Sequence, residues 1–200
     1  MQSEDAEQWN AAMLAEFNWH LENGTWEVIE LLDGQKAIGS KWMYKKKYNA
    51  DRTLEWYKAH VVAKGFNQRP GQDYFETFAS TIWQATVRIV LALAAIEDME
   101  LWSVDISYAF TNSDIDVEIY MEEPERFKTK QGGKTLVYWL NKSLYGLKQS
   151  SRLWGETLEK VLVTLGFKML ELWYNTLDIL CTNGHFSSIL LISRDRVNIT

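Results

Sequence analysis

Two periods of apolar residues run along this 200-residue chain. Apolar residues three to four positions apart indicate helices, whereas alternation of apolar and polar residues indicates strands. The helical period predicts helices over 6–22, 82–98 and 150–167. The stripes expected to face the core are Trp9, Met13, Phe17 and Leu21 in the first helix, Val87, Val90, Leu91 and Ala94 in the second, and Trp154, Leu158, Val161, Leu162 and Leu165 in the third.

The strand-like stretches are rich in aromatic and β-branched residues. The longest two, 41–48 and 54–66, flank a polar turn and predict one long hairpin. The turn contains Asp51-Arg52, where a glycine would adopt a positive φ more readily. Helices mixed with hairpins predict an α+β fold. Further strands are expected at 25–31, around Asp105, from 118 to Pro124, from 136 onward and at 187–200, the last lacking its partner strand.

Composition is that of a soluble globular protein, with 46% hydrophobic and 24% charged residues. The lone cysteine, Cys181, allows no internal disulfide and suits a reducing compartment. The longest apolar run, 87–96, is too short to span a bilayer. The N-terminus is acidic and has no signal-peptide pattern. We therefore expect a soluble intracellular chain with no disulfide or membrane partner.

The net charge of −6 hides strong segregation of charge. Residues 36–70 contain nine bases and two acids, and residues 128–168 contain eight bases and two acids. Between them, residues 71–127 contain twelve acids and two bases. Two basic blocks separated by an acidic one predict a cationic channel beside a carboxylate site, or alternatively a set of solvated charged faces.

One carboxylate stands out within the stretch WSVDISYAF, residues 102–110. Asp105 follows Val104 and precedes Ile106, so apolar residues flank it directly. Taken by itself, such an acid is either a surface residue on a strand leaving the core or a metal ligand at the end of a strand. The three histidines, His20, His60 and His185, have no metal-ligand spacing and are expected to be structural or surface residues.

Five stretches together resemble the reverse transcriptase domain of copia-type retrotransposons. They occur in the family's order and the resemblance runs nearly from end to end of the chain, which makes it specific. They read WNAAMLAEFNWHLENGTWEV at 9–28, KWMYKKK at 41–47, YKAHVVAKGFNQRPGQDYFETF at 57–78, VDISYAF at 104–110 and LNKSLYGLKQSSRLW at 140–154.

The resemblance implies RNA-directed DNA polymerisation with two Mg²⁺ (or Mn²⁺) ions about 4 Å apart, held by hard oxygen ligands. It implies that Asp105 is the first catalytic carboxylate and that the Ile106 carbonyl helps to hold the nucleotide-bound ion. Asp195, placed by the ILLI match at 189–192, is implied to be the second carboxylate. Phe110 is implied to select deoxynucleotides by crowding the sugar, with core packing as the alternative. The remaining nucleotide-binding candidates are Lys41, Lys58 and Lys64 as phosphate contacts, and Tyr145 and Gly146 beside template and nucleotide.

The chain departs from the family pattern at several positions. The family has a Tyr-x-Asp-Asp turn where this chain has Ser193-Arg194-Asp195-Arg196, so a cation replaces the last carboxylate. An arginine there repels a divalent ion that the carboxylate would attract. The other departures are Arg52 for Gly, Trp56 and His60 for Arg, and Ser80 and Ser151 for Pro. Each of these others can arise from a C-to-T or G-to-A transition, which suggests a decayed, pseudogene-like copy and explains part of the excess of tryptophan.

The resemblance also implies a right-hand polymerase architecture, with an antiparallel sheet that carries helices on one face. We expect an N-terminal helix segment at 1–24, fingers at 25–98 and a palm at 99–200 that is truncated after the catalytic turn, with the thumb absent. The partners implied are an RNA or DNA primer-template and deoxynucleoside triphosphates. The predicted function is a reverse transcriptase domain that is impaired or inactive. The alternative is a non-catalytic remnant that binds nucleic acid through residues 41–47 and the basic block at 128–168.

Overall fold

The computed structural model describes residues 5–79, 84–98, 100–129, 134–165 and 188–193. These described residues form three α-helices and eight strands, which establishes a mixed α+β protein. In chain order they are α1 (Ala6–Glu22), β1 (Trp26–Glu30), β2 (Ala37–Ile38), β3 (Ser40–Tyr48), β4 (Leu54–Ala63), α2 (Gln84–Ile96), β5 (Glu100–Asp105), β6 (Tyr120–Glu122), β7 (Leu136–Leu140), α3 (Ser150–Thr164) and β8 (Ser188–Ser193).

The chain divides into two compact units, and neither is a continuous stretch of sequence. The first unit comprises Met1–Thr77 and Ser113–Ser150, and the second comprises Phe78–Asn112 and Ser151–Thr200. The predicted division into fingers and palm is not tested by this partition and stays a prediction. None of the helices among the described residues has the length and apolar character needed to cross a bilayer.

The first unit contains a four-stranded sheet in the order β1-β7-β6-β2. Strand β1 pairs antiparallel with β7, and the short β2 pairs parallel with β6. Aromatic rings stack across the neighbouring strands β1 and β7, since the Trp26 and Tyr138 ring centroids lie 4.8 Å apart at 9°. Burial raises the pKa of the Tyr138 hydroxyl above its ordinary range. The core residues that share this burial are Trp26, Ile38, Val61, Ala63, Ile119, Met121, Tyr138, Leu140, Leu144 and Leu147.

The predicted hairpin is confirmed as a two-stranded antiparallel ribbon of β3 and β4. Its turn is closed by Asp51, whose carboxylate accepts hydrogen bonds from the Thr53 backbone and hydroxyl at 2.9 and 2.6 Å. Arg52 has a φ of +67°, the left-handed conformation for which the sequence lacks a glycine. Strand β4 ends at Ala63, and Gly65–Asn67 form a turn of 3-10 helix where the sequence predicted continued strand.

The second unit contains α2, helix α3 from Ser151 onward and the antiparallel pair of β5 and β8. Its small buried cluster comprises Ala109, Trp154, Leu158 and Leu162, against which Ile106 and Phe110 pack. The predicted strand bearing Asp105 is confirmed, and the residues that follow it in the motif leave the strand. Strand β5 ends at Asp105, and Ala109–Asn112 form a 3-10 helix whose apolar residues turn onto α3.

Periodicity identified the helices better than it identified their buried residues. Helix α1 has the predicted bounds, and Met13 is buried, but Leu21 is exposed. Of the predicted α2 stripe only Ala94 is buried, and Leu91 is exposed. Two residues of the predicted α3 stripe near its C-terminal end, Val161 and Leu165, are also exposed. A spacing of 3.6 residues defines a face, but the elements packed against that face decide how much of it is covered.

Candidate functional site

The β3–β4 ribbon carries most of the first basic block, and its register separates that block onto two faces. Residues opposite one another in an antiparallel pair share a face, and side chains alternate along each strand. Lys46 is opposite Tyr57, and Tyr44 is opposite Ala59, on what we term the inner face. The outer face carries Lys41, Met43, Lys45 and Lys47 of β3 and Trp56, Lys58, His60 and Val62 of β4. Of these, His60 still contacts helix α1, through Glu16, and stacks on Tyr145.

The inner face is occupied by helix α1. The Trp9 ring meets those of Tyr44 and Tyr57 edge-on, with centroids 5.2 and 4.6 Å apart. Asp5 accepts hydrogen bonds from Lys46 at 2.5 Å and from the Tyr57 hydroxyl at 2.7 Å. These two donors hold the pKa of the Asp5 carboxyl below its ordinary value. Lys46 is therefore committed to holding the helix on the ribbon.

The outer face has the opposite character. Its four lysines, Lys41, Lys45, Lys47 and Lys58, make no ion pair or side-chain hydrogen bond with any residue that the structure describes. Lys45 and Lys58 stand directly opposite each other in the strand register. Like charges in that arrangement destabilise a strand pair unless an anion lies between or above them. The face is therefore suited to binding a polyanion.

The second basic block differs from the ribbon in how its cations are used. The Lys134 ammonium pairs with Glu30 at 2.6 Å, and that of Lys142 donates to the Asn23 side chain at 3.1 Å. The Lys148 ammonium lies 5.8 Å from the centre of the Tyr74 ring. The interactions of these three cations are within the protein, whereas Lys128 and Lys160 of the same block make no ion pair or side-chain hydrogen bond with a described residue.

Lys64, Tyr145 and Gly146, which the sequence separates by about 80 residues, are brought together at the end of β4. The Ala63 amide donates to the Tyr145 carbonyl at 2.8 Å, and the Lys64 amide donates to the Gly39 carbonyl at 2.8 Å. Gly146 has a φ of +93°, and a Cβ added to it would overlap the Ala63 carbonyl oxygen. The close approach that requires glycine here is to the protein's own backbone.

Two buried glutamines, which sequence reasoning missed, fasten the same region. The Gln68 side chain donates to that of Gln149 at 3.0 Å and accepts from the Lys148 amide at 2.8 Å. The Gln149 side chain donates to the Asp73 carbonyl at 3.0 Å. Since both amides are buried with these partners satisfied, they hold the loop at 68–73 against the segment at 144–149. The sequence carries no sign that these two glutamines have a structural role, because it does not show that they are buried.

A second missed group is Glu16, which is only 4% exposed. One of its oxygens lies 3.2 Å from His20 Nε2 and 3.0 Å from His60 Nδ1. Burial opposes ionisation of this carboxyl, but the hydrogen bonds and charges of the two histidines outweigh it and lower its pKa to about 2. His60 also stacks on Tyr145, with ring centroids 5.7 Å apart. His20 and His60 thus have structural roles, whereas His185 lies outside the described residues.

Asp105 is the last residue of β5 and is paired in register with Ser188 of β8. Ile106 and Phe110 follow and pack against the buried α3 cluster. The antiparallel register puts Ser193, the last residue of β8, opposite Glu100 rather than Asp105. Asp195 and Arg196 lie outside the described residues. The described pairing does not by itself bring the two predicted carboxylates together, and their joint role stays a prediction.

The predicted divalent-metal site stays a prediction, because the Asp105 side chain and the whole of Asp195 lie outside what the structure describes. Among the residues that the structure describes, no three His, Cys, Asp or Glu side chains lie close enough together to hold an ion. The resemblance predicts that such an ion would be held by the Asp105 carboxylate, the Ile106 carbonyl and Asp195. A divalent ion would supply Lewis-acid stabilisation of phosphate oxygens there.

Comparison with known proteins identifies the sequence. The family described as "Reverse transcriptase (RNA-dependent DNA polymerase)" matches residues 23–191. The chain is 40% identical over 162 residues, 80% of its length, to the "Retrovirus-related Pol polyprotein from transposon RE1" of Arabidopsis thaliana. It is 43% identical over 143 residues, 72% of its length, to that from transposon TNT 1-94 of Nicotiana tabacum. It spans 11% of the length of each relative. No solved structure matches it significantly.

Proposed function

Because this chain belongs to the reverse transcriptase (RNA-dependent DNA polymerase) family, we propose that it is the reverse transcriptase domain of a copia-type retrotransposon, with nucleic acid bound on the outer face of the β3–β4 ribbon. The observation that carries the binding proposal is the set of four lysines without a protein partner among the described residues. Phosphate contacts by lysine supply most of the affinity in sequence-independent binding. The substrates proposed are an RNA or DNA primer-template and deoxynucleoside triphosphates.

The end of β4 is the proposed nucleotide-binding position. Lys64, Tyr145 and Gly146 lie next to one another there, fixed by backbone hydrogen bonds and by the close approach of Gly146 to Ala63. Lys41 and Lys58 on the outer face are proposed to contact phosphates of template or nucleotide. Phe110 packs on the α3 cluster, from which it is proposed to limit space at the sugar.

Catalysis in this copy is proposed to be impaired. A divalent ion, Mg²⁺ or Mn²⁺, would need the carboxylates of Asp105 and Asp195, and Arg196 stands where the family has a third carboxylate. Replacing a negative charge by a positive one beside a dication costs on the order of several kcal/mol even at high effective dielectric. Nucleic-acid binding through the ribbon requires neither the ion nor Arg196.

Binding is tested by fluorescence anisotropy with labelled oligonucleotides at low salt. We expect the double variant Lys45→Gln/Lys58→Gln to bind at least about tenfold more weakly, since each lost phosphate contact removes counterion release. Lys134→Gln is the matched control, because Lys134 is already paired with Glu30. Equal affinities for the parent and the double variant would contradict the assignment of the ribbon.

Primer extension on poly(rA)–oligo(dT) with Mg²⁺ or Mn²⁺ separates an enzyme from a non-catalytic remnant. We expect little or no extension by the parent chain, with nucleic-acid binding retained. Extension that is abolished by Asp105→Asn would show that the site is competent despite Arg196. Restoring the family residue with Arg196→Asp is then expected to raise extension, if Asp105 and Asp195 hold the ion.

A further inference from the structure

Trp56 lies on the outer face of the ribbon at the end nearest the turn. It is opposite Lys47 in the register, and the next pair on the same face is Lys45 with Lys58. Its side chain is 48% exposed, and no ring contact or hydrogen bond joins it to another described residue. A large planar ring is thus presented to solvent beside cations that also lack partners among the described residues.

That combination matches the chemistry of one ligand class. Proteins that bind single-stranded nucleic acid combine cations that follow the backbone with aromatic rings on which unpaired bases stack. In a duplex both faces of each base are covered by neighbouring bases, so an exposed ring gains little from it. Lysine contacts to phosphate do not make this distinction.

We infer that Trp56 stacks on an unpaired base of a single-stranded nucleic acid whose phosphates lie over Lys45, Lys47 and Lys58, and that this ring makes the ribbon selective for single strands over duplex. The inference rests on the proposed nucleic-acid-binding function of the outer face. It adds the substrate form and the residue that selects it. The preference for single strands would come from Trp56, a position where the resembled family has arginine.

The test compares the affinity of the chain for labelled oligo(U), oligo(dT) and a duplex of equal length at one salt concentration. Trp56→Leu keeps an apolar, strand-compatible side chain but removes the ring, and Trp56→Phe keeps a ring. We expect Trp56→Leu to weaken binding of both single strands about tenfold while duplex affinity stays within twofold of the parent (about 0.4 kcal/mol). Trp56→Phe should recover most of the loss.

The results separate the stacking role of Trp56 from phosphate binding by the outer-face lysines. If the parent binds single strands but Trp56→Leu has no effect, or weakens single strands and duplex equally, the stacking role of Trp56 is refuted and the lysine face is not. If the parent binds no nucleic acid, the proposed function fails and the inference fails with it. Thermal melting of each variant shows whether a loss reflects unfolding, and Trp56→Phe with parental stability and parental affinity supports stacking.

Discussion

Gly146 illustrates how a single residue can be required for structure inside a segment that the resemblance associates with substrate. Its positive φ and the carbonyl of Ala63 both exclude a side chain. Gly65 makes the reciprocal demand, because a Cβ on it would overlap the Gly146 carbonyl oxygen. The two glycines let two chain segments touch through their backbones, and Lys64 and Tyr145 are neighbours as a consequence.

Gly146→Ala is expected to destabilise the protein by about 2–4 kcal/mol, the sum of backbone strain and overpacking. Gly155→Ala is the matched control, since a Cβ there has no neighbour within 4 Å and Gly155 lies inside helix α3. The control should gain about 0.5–1 kcal/mol from helix propensity. Chemical denaturation measures both, and an unchanged midpoint for Gly146→Ala would contradict the packing described.

The Glu16 carboxyl gives stability a definite pH dependence. Its pKa is lowered in the folded protein, from an ordinary 4.5 to about 2. The ionised form therefore favours folding, and this contribution is complete above about pH 5 and is lost as the pH falls through about 2. The shift corresponds to at most about 3 kcal/mol.

We expect Glu16→Gln to lower the free energy of unfolding by about 3 kcal/mol at pH 6, and by half of that or less at pH 3. Urea denaturation of parent and variant across this range measures the difference. Asp51→Asn is a suitable comparison, because Asp51 is exposed and acts only within its turn. A Glu16→Gln deficit that does not change with pH would refute the linkage.

At the scale of elements, the ribbon shows a conflict between stability and binding. An acid opposite Lys45 or Lys58 would stabilise the strand pair, yet the register sets the two lysines against each other. Helix α1 shows the contrary arrangement, because Asp5 satisfies Lys46 on the inner face. The difference between the two faces is what the proposed binding of an external anion on the outer face would require.

Lys58→Glu is expected to raise stability by about 0.2–1 kcal/mol through the cross-strand pair with Lys45, and to weaken nucleic-acid binding at the same time. Lys41→Glu serves as the control, since Lys41 is opposite Val62 and gains no charged partner across the strands. It should weaken binding without raising stability. Thermal melting and anisotropy on the same samples measure both effects, and a less stable Lys58→Glu ribbon would contradict the argument.

For the molecule as a whole, net charge is a poor guide to binding. The chain carries −6, but the cations of the outer face are local and lack protein partners among the described residues. Counterions released from nucleic acid depend on the phosphates actually contacted rather than on net charge. The position of the lysines in the fold, rather than the net charge, therefore decides where a polyanion could be bound.

We expect log K for oligo(U) to fall with log salt concentration with a slope of about −2 to −3, as for three to four phosphate contacts on a single strand. Titrations between low and physiological salt measure it. Removal of one outer-face lysine should reduce the slope by roughly one contact, whereas Lys134→Gln should leave it unchanged. A slope near zero would mean that phosphate contacts do not drive binding.

The sequence by itself determined the local elements and the family. Helix α1 and the hairpin of β3 and β4 followed from short-range periodicity, and the positive φ at Arg52 from turn chemistry. These features depend on residues close together in the chain, so local propensity specifies them. Ordered motifs likewise gave the reverse transcriptase resemblance that the comparisons confirm.

Only the tertiary structure decided which distant groups meet. The approach of Gly146 to Ala63, the Gln68–Gln149 pair and the shared Glu16 carboxylate all join segments tens of residues apart. Periodicity carries no information about such contacts, because they depend on which faces are brought together and how completely water is excluded. For the same reason the sequence shows that the ribbon is rich in lysine but not how its lysines are used. The strand register and the packing of α1 show that Lys46 pairs with Asp5, whereas the four lysines of the outer face have no partner among the described residues.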